Sequence, residues 1–313
     1  MSVVVKKIGL LVVVVIAVTF FTALLSAALP GDPAEVVIPF GSEEQRDQFR
    51  QDNDLDDPVP IRYVKWLGRF ATGDLGKYYT PSSSDPVSER VSSALPVSIQ
   101  LMVYAQLFAL VFAIPLGIWT AQRARSKVDR AVSATAFGLI AIPNFALGLV
   151  LAYYVGVVLN WVPPTGYRAF GEDPVEHFRR MILPTISLGL GQVAIYMRLL
   201  RSDMIATLQE DFILMARAKG ISPRRVLWRH ALRPSSLTLL TVAALNIGAL
   251  IGGAVVIEQV FSIPGIGSEI ASAILRRQYV ALQSLVAIVA VGYVLINFFI
   301  DFLYTVLDPR IRK

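Results

Sequence analysis

Long apolar runs alternate with short charged segments along this chain. Six apolar runs are long enough to form membrane-crossing helices, at residues 8–29, 96–121, 131–159, 181–200, 235–257 and 280–300. The fourth run is interrupted near its end by Arg198. The 22 residues of the first run reach about 33 Å at about 1.5 Å per residue, which spans the hydrocarbon core of a bilayer. Prolines at 115, 143 and 184 do not exclude helices, because neighbouring helices can satisfy the carbonyls that a proline frees. The pattern predicts an all-α polytopic membrane protein with six transmembrane helices.

The first run has a second interpretation as a cleaved signal peptide. Ser26 and Ala28 form the small-x-small pattern of a cleavage site. However, the apolar stretch is longer than a usual signal core, so we expect a retained helix.

Basic residues concentrate in alternate segments between the runs. If the N-terminus is cytosolic, the segments on that side hold 17 lysines and arginines against 6 aspartates and glutamates. The other side holds 12 basic and 17 acidic residues. Because basic loops stay on the cytosolic side, this distribution places both termini in the cytosol. The net charge is +6, but most basic residues flank apolar spans rather than forming one patch. Nucleic acid is therefore not an expected partner.

The segment between the first two runs, residues 30–95, is too long and polar for a simple turn. It holds twelve acidic and seven basic residues, and apolar side chains at positions 61, 64, 66, 67 and 70 predict a short helix that packs on something. We therefore expect an external lobe between transmembrane helices 1 and 2. This divides the chain into residues 1–29 (N-terminal tail and first helix), 30–95 (external lobe) and 96–313 (the core with helices 2–6).

The segment 203–234 has the pattern of a helix-turn-helix on the cytosolic side. Its first helix would place apolar side chains on one face: Ile205, Leu208, Phe212 and Met215. Gly220 can take the left-handed conformation that ends a helix, and Ser222 followed by Pro223 is a helix start. The second, short helix is basic and carries Arg224, Arg225, Arg229 and Arg233. Two interpretations remain open: a docking element for another protein, or an ordinary basic loop.

Residue types needed for several kinds of chemistry are missing from this sequence. The absence of cysteine excludes disulfides, cysteine metal sites and thiol catalysis. The two histidines, His177 in a predicted external loop and His230 in the basic helix, lack the spacing of a metal site. No G-x-x-x-x-G-K-[ST] phosphate loop occurs. We therefore expect neither catalysis nor a metal or cofactor bound by this chain.

Small and uncharged polar residues interrupt the apolar runs. Gly248 and Gly252 form a small-xxx-small pair with Gly253 beside it. This pattern favours a close, static helix interface over the alternative of a sliding gate. Candidate pore-lining residues are Asn144, Gln192, Asn246 and Asn297, although such side chains also hydrogen-bond between helices. An ion-coupled secondary transporter would place ionisable groups at mid-membrane, whereas the charges here stay near the span ends.

A family resemblance appears in the basic segment. The run Ala216-Arg217-Ala218-Lys219-Gly220, then Ile221, Ser222-Pro223 and Leu232-Arg233-Pro234, resembles the EAA loop of binding-protein-dependent ABC importer permeases. Leu214 stands where that motif has its glutamate, a departure common in the peptide-importer branch. The resemblance implies that residues 203–234, hereafter the coupling loop, dock on an ATPase. It also implies that residues 216–225 make the contact, with Arg217, Lys219, Arg224 and Arg225 forming charge-assisted bonds.

Further short phrases extend the resemblance over nearly the whole chain. They are Pro30-Gly31-Asp32-Pro33-Ala34, Gly73-Asp74-Leu75-Gly76, Leu95-Pro96, Pro163-Pro164-Thr165-Gly166-Tyr167, residues 258–267 (EQVFSIPGIG) and Asp308-Pro309-Arg310-Ile311-Arg312. Their order is similar to that of the B-type subunit of the dipeptide/oligopeptide/nickel permease family. One departure is Gln278-Tyr279-Val280, where the family often has an aspartate before tyrosine-proline.

The resemblance implies a type I ABC importer permease-like fold and its function. The chain would form a heterodimer with a homologous C-type permease subunit in a prokaryotic cytoplasmic (inner) membrane and import short peptides. Two cytosolic ATPase subunits or domains, which hold ATP and Mg²⁺, would drive it, and an extracytoplasmic solute-binding protein would deliver the solute. Nickel chelates, glutathione or haem are alternative solutes of the same machinery.

Overall fold

The computed structural model describes residues 3–80 and 84–307. The predicted closing phrase at residues 308–312 lies outside them. Most of the described chain is helical, and the helices are α1 Val3–Ala27, α2 Pro33–Val37, α3 Glu43–Asp52, α4 Val59–Ala71, α5 Val87–Gln122, α6 Lys127–Ala141, α7 Asn144–Leu151, α8 Pro174–Thr207, α9 Asp211–Ala218, α10 Pro223–Arg225, α11 Leu232–Phe261, α12 Ile266–Leu275 and α13 Tyr279–Leu307. Two π-helical segments, Ala152–Val158 and Val226–Ala231, continue α7 and α10. Strands β1 Lys77–Tyr79 and β2 Ser84–Pro86 pair antiparallel.

Four helices in the described ranges are long and apolar enough to cross a membrane: α5, α8, the continuous helix from Pro223 to Phe261, and α13. A fifth span results if the bent pair of α6 and the helix 144–158 crosses as one unit. The described apolar part of α1, Leu11–Ala27, is shorter than these. The structure thus confirms a mainly helical protein with several apolar spans, while the sixth span stays a prediction.

The third predicted run, 131–159, is two helices rather than one. α6 and the helix that begins at Asn144 meet at 100°. Ile142, directly before Pro143, has an extended ψ of 122°, because the ring of a following proline disfavours the helical conformation at the preceding residue. At Pro143 the kink is a bend of 100°, so this run crosses as one span only if the bent pair acts as a unit. Pro184, by contrast, lies inside the continuous helix α8.

The structure forms two compact units, and the first contains the described parts of residues 1–98 and 264–302. In this unit, α4 packs through two buried aromatic side chains. Trp66 donates its indole N–H to Ser284 Oγ at 3.0 Å, and Tyr63 Oη lies 2.9 Å from Thr19 Oγ1. The predicted short helix at residues 61–70 is confirmed, although Ile61 and Val64 face outward.

The second unit contains residues 99–263 together with residues 303–307. Its core surrounds α8, where Tyr196, Met197 and Leu200 are fully buried among α5, α6 and α11. An ion pair joins α6 to α8: Arg201 Nε and Nη2 lie 2.5 and 2.7 Å from the carboxylate oxygens of buried Asp129. The predicted division into residues 1–29, 30–95 and 96–313 was based on membrane topology, whereas the two units are defined by internal packing. The predicted division therefore stays a prediction.

Candidate functional site

The coupling loop follows a different path from the predicted one in its first half. α8 continues to Thr207, a turn occupies residues 208–210, and α9 begins at Asp211. The expected single amphipathic helix is therefore broken. The break resets the helical phase, so that Ile213 and Ala216 are buried while Phe212 and Met215 are exposed. The prediction that Phe212 and Met215 share one helical face with Ile205 and Leu208 is wrong, because it assumed one uninterrupted helix.

Gly220 ends α9 in the predicted manner. Its φ is +75°, the left-handed region that side chains with a Cβ rarely adopt. The amide of Ile221 bonds to the carbonyl of Ala216 at 3.2 Å, so the chain reverses tightly. Ser222 and Pro223 then begin the next helix as predicted, although the Ser222 side chain forms no capping hydrogen bond.

The second helix is not short. From Pro223 it runs without a break into α11 and ends at Phe261. In its first turns, Val226 and Leu227 are buried, whereas Trp228 is 48% exposed. Residues from Pro223 to Phe261 therefore form a single helical element of 39 residues.

The buried side of the coupling loop belongs to the core of the second unit. Ile213 and Ala216 of α9 join Val226 and Leu227 in the cluster that surrounds α8. A hydrogen bond of 2.9 Å between the hydroxyls of Ser235 and Thr207 ties the end of α8 to the start of α11. Ala216 is thus a packing residue that positions the loop, and its predicted role in contacting a partner remains a prediction.

The outer side of the coupling loop is both apolar and basic. We define its exposed side chains as the coupling surface: Phe212, Leu214, Met215, Arg217, Lys219, Arg224, Arg225 and Trp228. Within the described ranges, none of its four cations forms an ion pair. The cations and the neighbouring apolar side chains are therefore available to a partner, as expected for an interface with an apolar centre and charged rim.

The glycines of α11 have different surroundings. A Cβ at Gly253 would lie 2.9 Å from Leu188 Cδ1, whereas one at Gly252 would meet open space. Within this chain, close packing of α11 against α8 therefore depends on Gly253. The predicted pairing of Gly248 with Gly252 in a helix interface or gate remains a prediction.

The four candidate pore residues do not form one cluster. Asn144, at the first turn of α7, lies between α8 and α11, since a Cβ at Gly191 would be 3.4 Å from its Oδ1 and one at Gly253 would be 3.6 Å from its Nδ2. Gln192 has a buried Oε1 without a hydrogen-bond partner in the described structure. Asn246 is half-buried on α11. Asn297 belongs to the other unit and donates to the carbonyl of Tyr293 within α13 at 2.9 Å.

His177 lies in a helix rather than in the predicted external loop. It is fully buried in α8, with Nδ1 2.6 Å from the Arg168 carbonyl and Nε2 3.2 Å from Tyr104 Oη. Asp173 and Pro174, an N-cap and a proline at the first helical position, are the sequence signal that indicates this earlier helix start. Both ring nitrogens have partners, so His177 has a structural role.

Comparison with known proteins gives these elements a context. Residues 113–313 match the family described as "Binding-protein-dependent transport system inner membrane component". The chain is 35% identical over 302 residues to the oligopeptide transport system permease protein AppB of Bacillus subtilis, covering 96% of this chain and 95% of that protein. It is 34% identical over 336 residues to the di/tripeptide transport system permease protein DppB of Pseudomonas aeruginosa, with 100% and 99% covered.

The matched region includes only the C-terminal end of α5, but it contains the whole coupling loop and α11. Similarity to both relatives extends beyond it, over nearly the full chain. Together with the four or five apolar spans, the match shows that the chain belongs to the family of inner-membrane components of binding-protein-dependent transport systems.

Proposed function

We propose that this chain is a permease subunit of an ABC importer for short peptides, driven by ATP hydrolysis on separate subunits. The proposal rests mainly on the coupling surface. Its apolar and cationic side chains are exposed, while the opposite face of the same loop is buried in the core of the second unit. The names of its relatives, an oligopeptide and a di/tripeptide permease, support a peptide as solute.

The proposed complex contains a homologous C-type permease subunit, two cytosolic ATPases that bind ATP and Mg²⁺, and an extracytoplasmic solute-binding protein. In it, the chain has six transmembrane helices, an external lobe at residues 30–95 and both termini in the cytosol. Short basic segments on one side of the membrane support this orientation.

The coupling surface would dock in a groove of the ATPase. Apolar Phe212, Met215 and Trp228 would be buried against the partner, and the four cations would pair with carboxylates at its edge. Ile213 and Ala216 fix α9 to the core. The coupling surface and this core would therefore move as a rigid body when the ATPases close on ATP.

The long helix would carry this movement into the membrane. It begins beside the coupling surface at Pro223 and ends at Phe261, so displacement of its first turns would tilt the part that faces Asn144 and α8. Such tilting would switch the path between outward-open and inward-open states. Neutral Asn144, Gln192 and Asn246 would offer hydrogen bonds to a polar solute without holding it tightly.

The test of coupling uses charge reversal at two exposed arginines. In the tagged full-length chain expressed with its partner subunits, we expect Arg224→Glu/Arg225→Glu to reduce co-purifying ATPase at least tenfold. The matched control is Arg168→Glu/Arg179→Glu, which reverses two exposed arginines near the start of α8. Equal ATPase recovery from both variants would refute the coupling role.

Uptake by the reconstituted wild-type complex tests the solute and the energy source. We expect accumulation of a labelled tripeptide that requires ATP and the solute-binding protein and is insensitive to collapse of ion gradients. Accumulation of a nickel chelate, glutathione or haem instead would assign one of the alternative solutes. Uptake that follows an ion gradient without ATP would identify a secondary transporter.

A further inference from the structure

A cavity of about 800 Å³ opens between α6, α8 and α11 within the second unit. Its walls are apolar and are formed by Phe137, Ile195, Leu199 and Val242. Its polar end contains Arg130, Arg198 and the ion pair of Asp129 with Arg201. The cavity therefore has a cationic end and an apolar end, and both lie on helices of the candidate membrane spans.

The charges at the polar end do not cancel. Asp129 is fully occupied, because it binds Arg201 through both oxygens and accepts the backbone N–H of Arg125 at 2.8 Å. Within the ranges that the structure describes, Arg130 and Arg198 have no carboxylate partner. Two positive charges therefore remain to attract an anion.

Arg198 is held in place although it has no ion pair. Its guanidinium lies over the ring of Phe137, 3.8 Å from the ring centroid, so the aromatic wall fixes the cation at the boundary between the polar and apolar ends. The guanidinium N–H groups, which lie in the plane of the fork, stay available for an anion. Ser202 adds a hydroxyl donor to the same lining, whereas the hydroxyl of Ser133 bonds to Asp129.

We propose that this cavity is a binding site for one anionic phospholipid. Arg130 and Arg198 bind the phosphate of the headgroup, and an acyl chain lies along Phe137, Ile195 and Val242. Basic pockets between membrane helices are suited to anionic headgroups, and a volume of about 800 Å³ fits a headgroup with part of a chain. The site adjoins Asp129 and Arg201, so a bound lipid would brace the junction of α6 with α8.

Native mass spectrometry of the purified full-length chain tests the site. The chain is incubated in detergent with equal amounts of phosphatidylglycerol and phosphatidylcholine that carry the same acyl chains. We expect wild type to retain phosphatidylglycerol preferentially, and Arg130→Gln/Arg198→Gln to lower that preference at least tenfold, the scale that two basic side chains contribute. Arg130→Lys/Arg198→Lys keeps both charges and should restore most of the preference.

The matched control is Arg229→Gln/Arg233→Gln, which removes the same charge from two exposed positions outside the cavity. It should keep the wild-type preference. No preference in wild type, or an equal loss in the control, would overturn the site. Displacement of phosphatidylglycerol by a millimolar tripeptide would also overturn it, because the cavity would then be part of the solute path.

Discussion

Gln278 and Tyr79, which are 199 positions apart in the sequence, form two hydrogen bonds. The Gln278 side chain accepts the Tyr79 backbone N–H at 2.9 Å and donates to the Tyr79 carbonyl at 2.8 Å. The side-chain amide thus makes the same pair of hydrogen bonds to Tyr79 that the backbone of a neighbouring strand would make. An aspartate at this position would have no donor for the carbonyl.

Replacement of Gln278 by Glu should therefore destabilise the first unit. The carboxylate would keep the bond to the amide but would face the Tyr79 carbonyl without a proton, in a site where Gln278 is 3% exposed. A buried acceptor left without its partner costs about 1–3 kcal/mol. Thermal unfolding in detergent, followed by intrinsic fluorescence, should show a lowered midpoint. Gln51→Glu, a change at an exposed position of α3, should leave the midpoint unchanged.

The stability of the loop between α3 and α4 should depend on pH through Asp54. Burial by itself would raise the pKa of this carboxyl, but hydrogen bonds from Lys65 and the charge of Arg69 outweigh it and hold the pKa below the ordinary value. A carboxyl whose pKa is lowered in the folded state contributes stability above its unfolded pKa of about 3.9. This contribution is lost as the pH falls through the folded pKa.

Asp54→Asn isolates the charge, because Asp54 has a φ of +52° and asparagine tolerates this left-handed conformation. Protease cleavage of the full-length chain between residues 52 and 58 should be faster in the variant than in wild type at pH 6–7. The difference should shrink as the pH falls below about 4 and vanish once the pH lies below the folded pKa. A difference that stays constant down to pH 2 would show that the charge has no part in it.

Local signals in the sequence were sufficient for the end of α9 and for the start of the next helix. Gly220 has the left-handed conformation expected of a helix stop, and Ser222 with Pro223 begins the next helix. The phrase Gly73-Asp74-Leu75-Gly76 has a comparable local cause, since Asp74 accepts the N–H of Gly76 at 2.9 Å. These features depend on a few neighbouring residues, which the sequence displays directly.

Features that depend on distant residues were not predictable. A Cβ at Gly76 would lie 2.4 Å from Val280 Cγ1, and no pattern along the chain announces this contact. The exposure of Met215 likewise follows from a helix break that hydrophobic periodicity does not register, because periodicity locates an apolar face only while the helix is continuous. The cavity between α6, α8 and α11 needs the tertiary fold, although Arg198 inside an apolar run was a visible signal.

Side chains at Gly220 should impair coupling according to their tolerance of a positive φ. A Cβ there would meet no atom within 4 Å, so any effect comes from backbone strain rather than from a clash. Gly220→Val should lower ATPase co-purification at least fivefold, because β-branched residues strongly disfavour this conformation. Gly220→Asn should retain at least half, since asparagine adopts it more readily. Equal loss in both variants would show that the left-handed turn is not what matters.

Neighbouring residues 215 and 216 should respond to the same substitution in opposite ways. Met215 is 59% exposed on the coupling surface, whereas Ala216 is 6% exposed in the core beside Ile213. Met215→Asp places a charge in water and should leave the yield of folded chain unchanged, yet abolish binding of the proposed ATPase. Ala216→Asp places an unpaired charge in an apolar core and should destabilise the chain by several kcal/mol.

Two measurements on each variant separate these outcomes: the monodisperse fraction in size-exclusion chromatography, and the ATPase recovered with the tagged chain. Met215→Ser, which removes the apolar contact without adding charge, should show an intermediate loss of ATPase. Leu275→Asp is the control for Met215→Asp, because Leu275 is 79% exposed on α12 in the other unit. If Met215→Asp lowers the monodisperse fraction as much as Ala216→Asp does, the exposed face of α9 is needed for folding of the chain rather than for binding a partner.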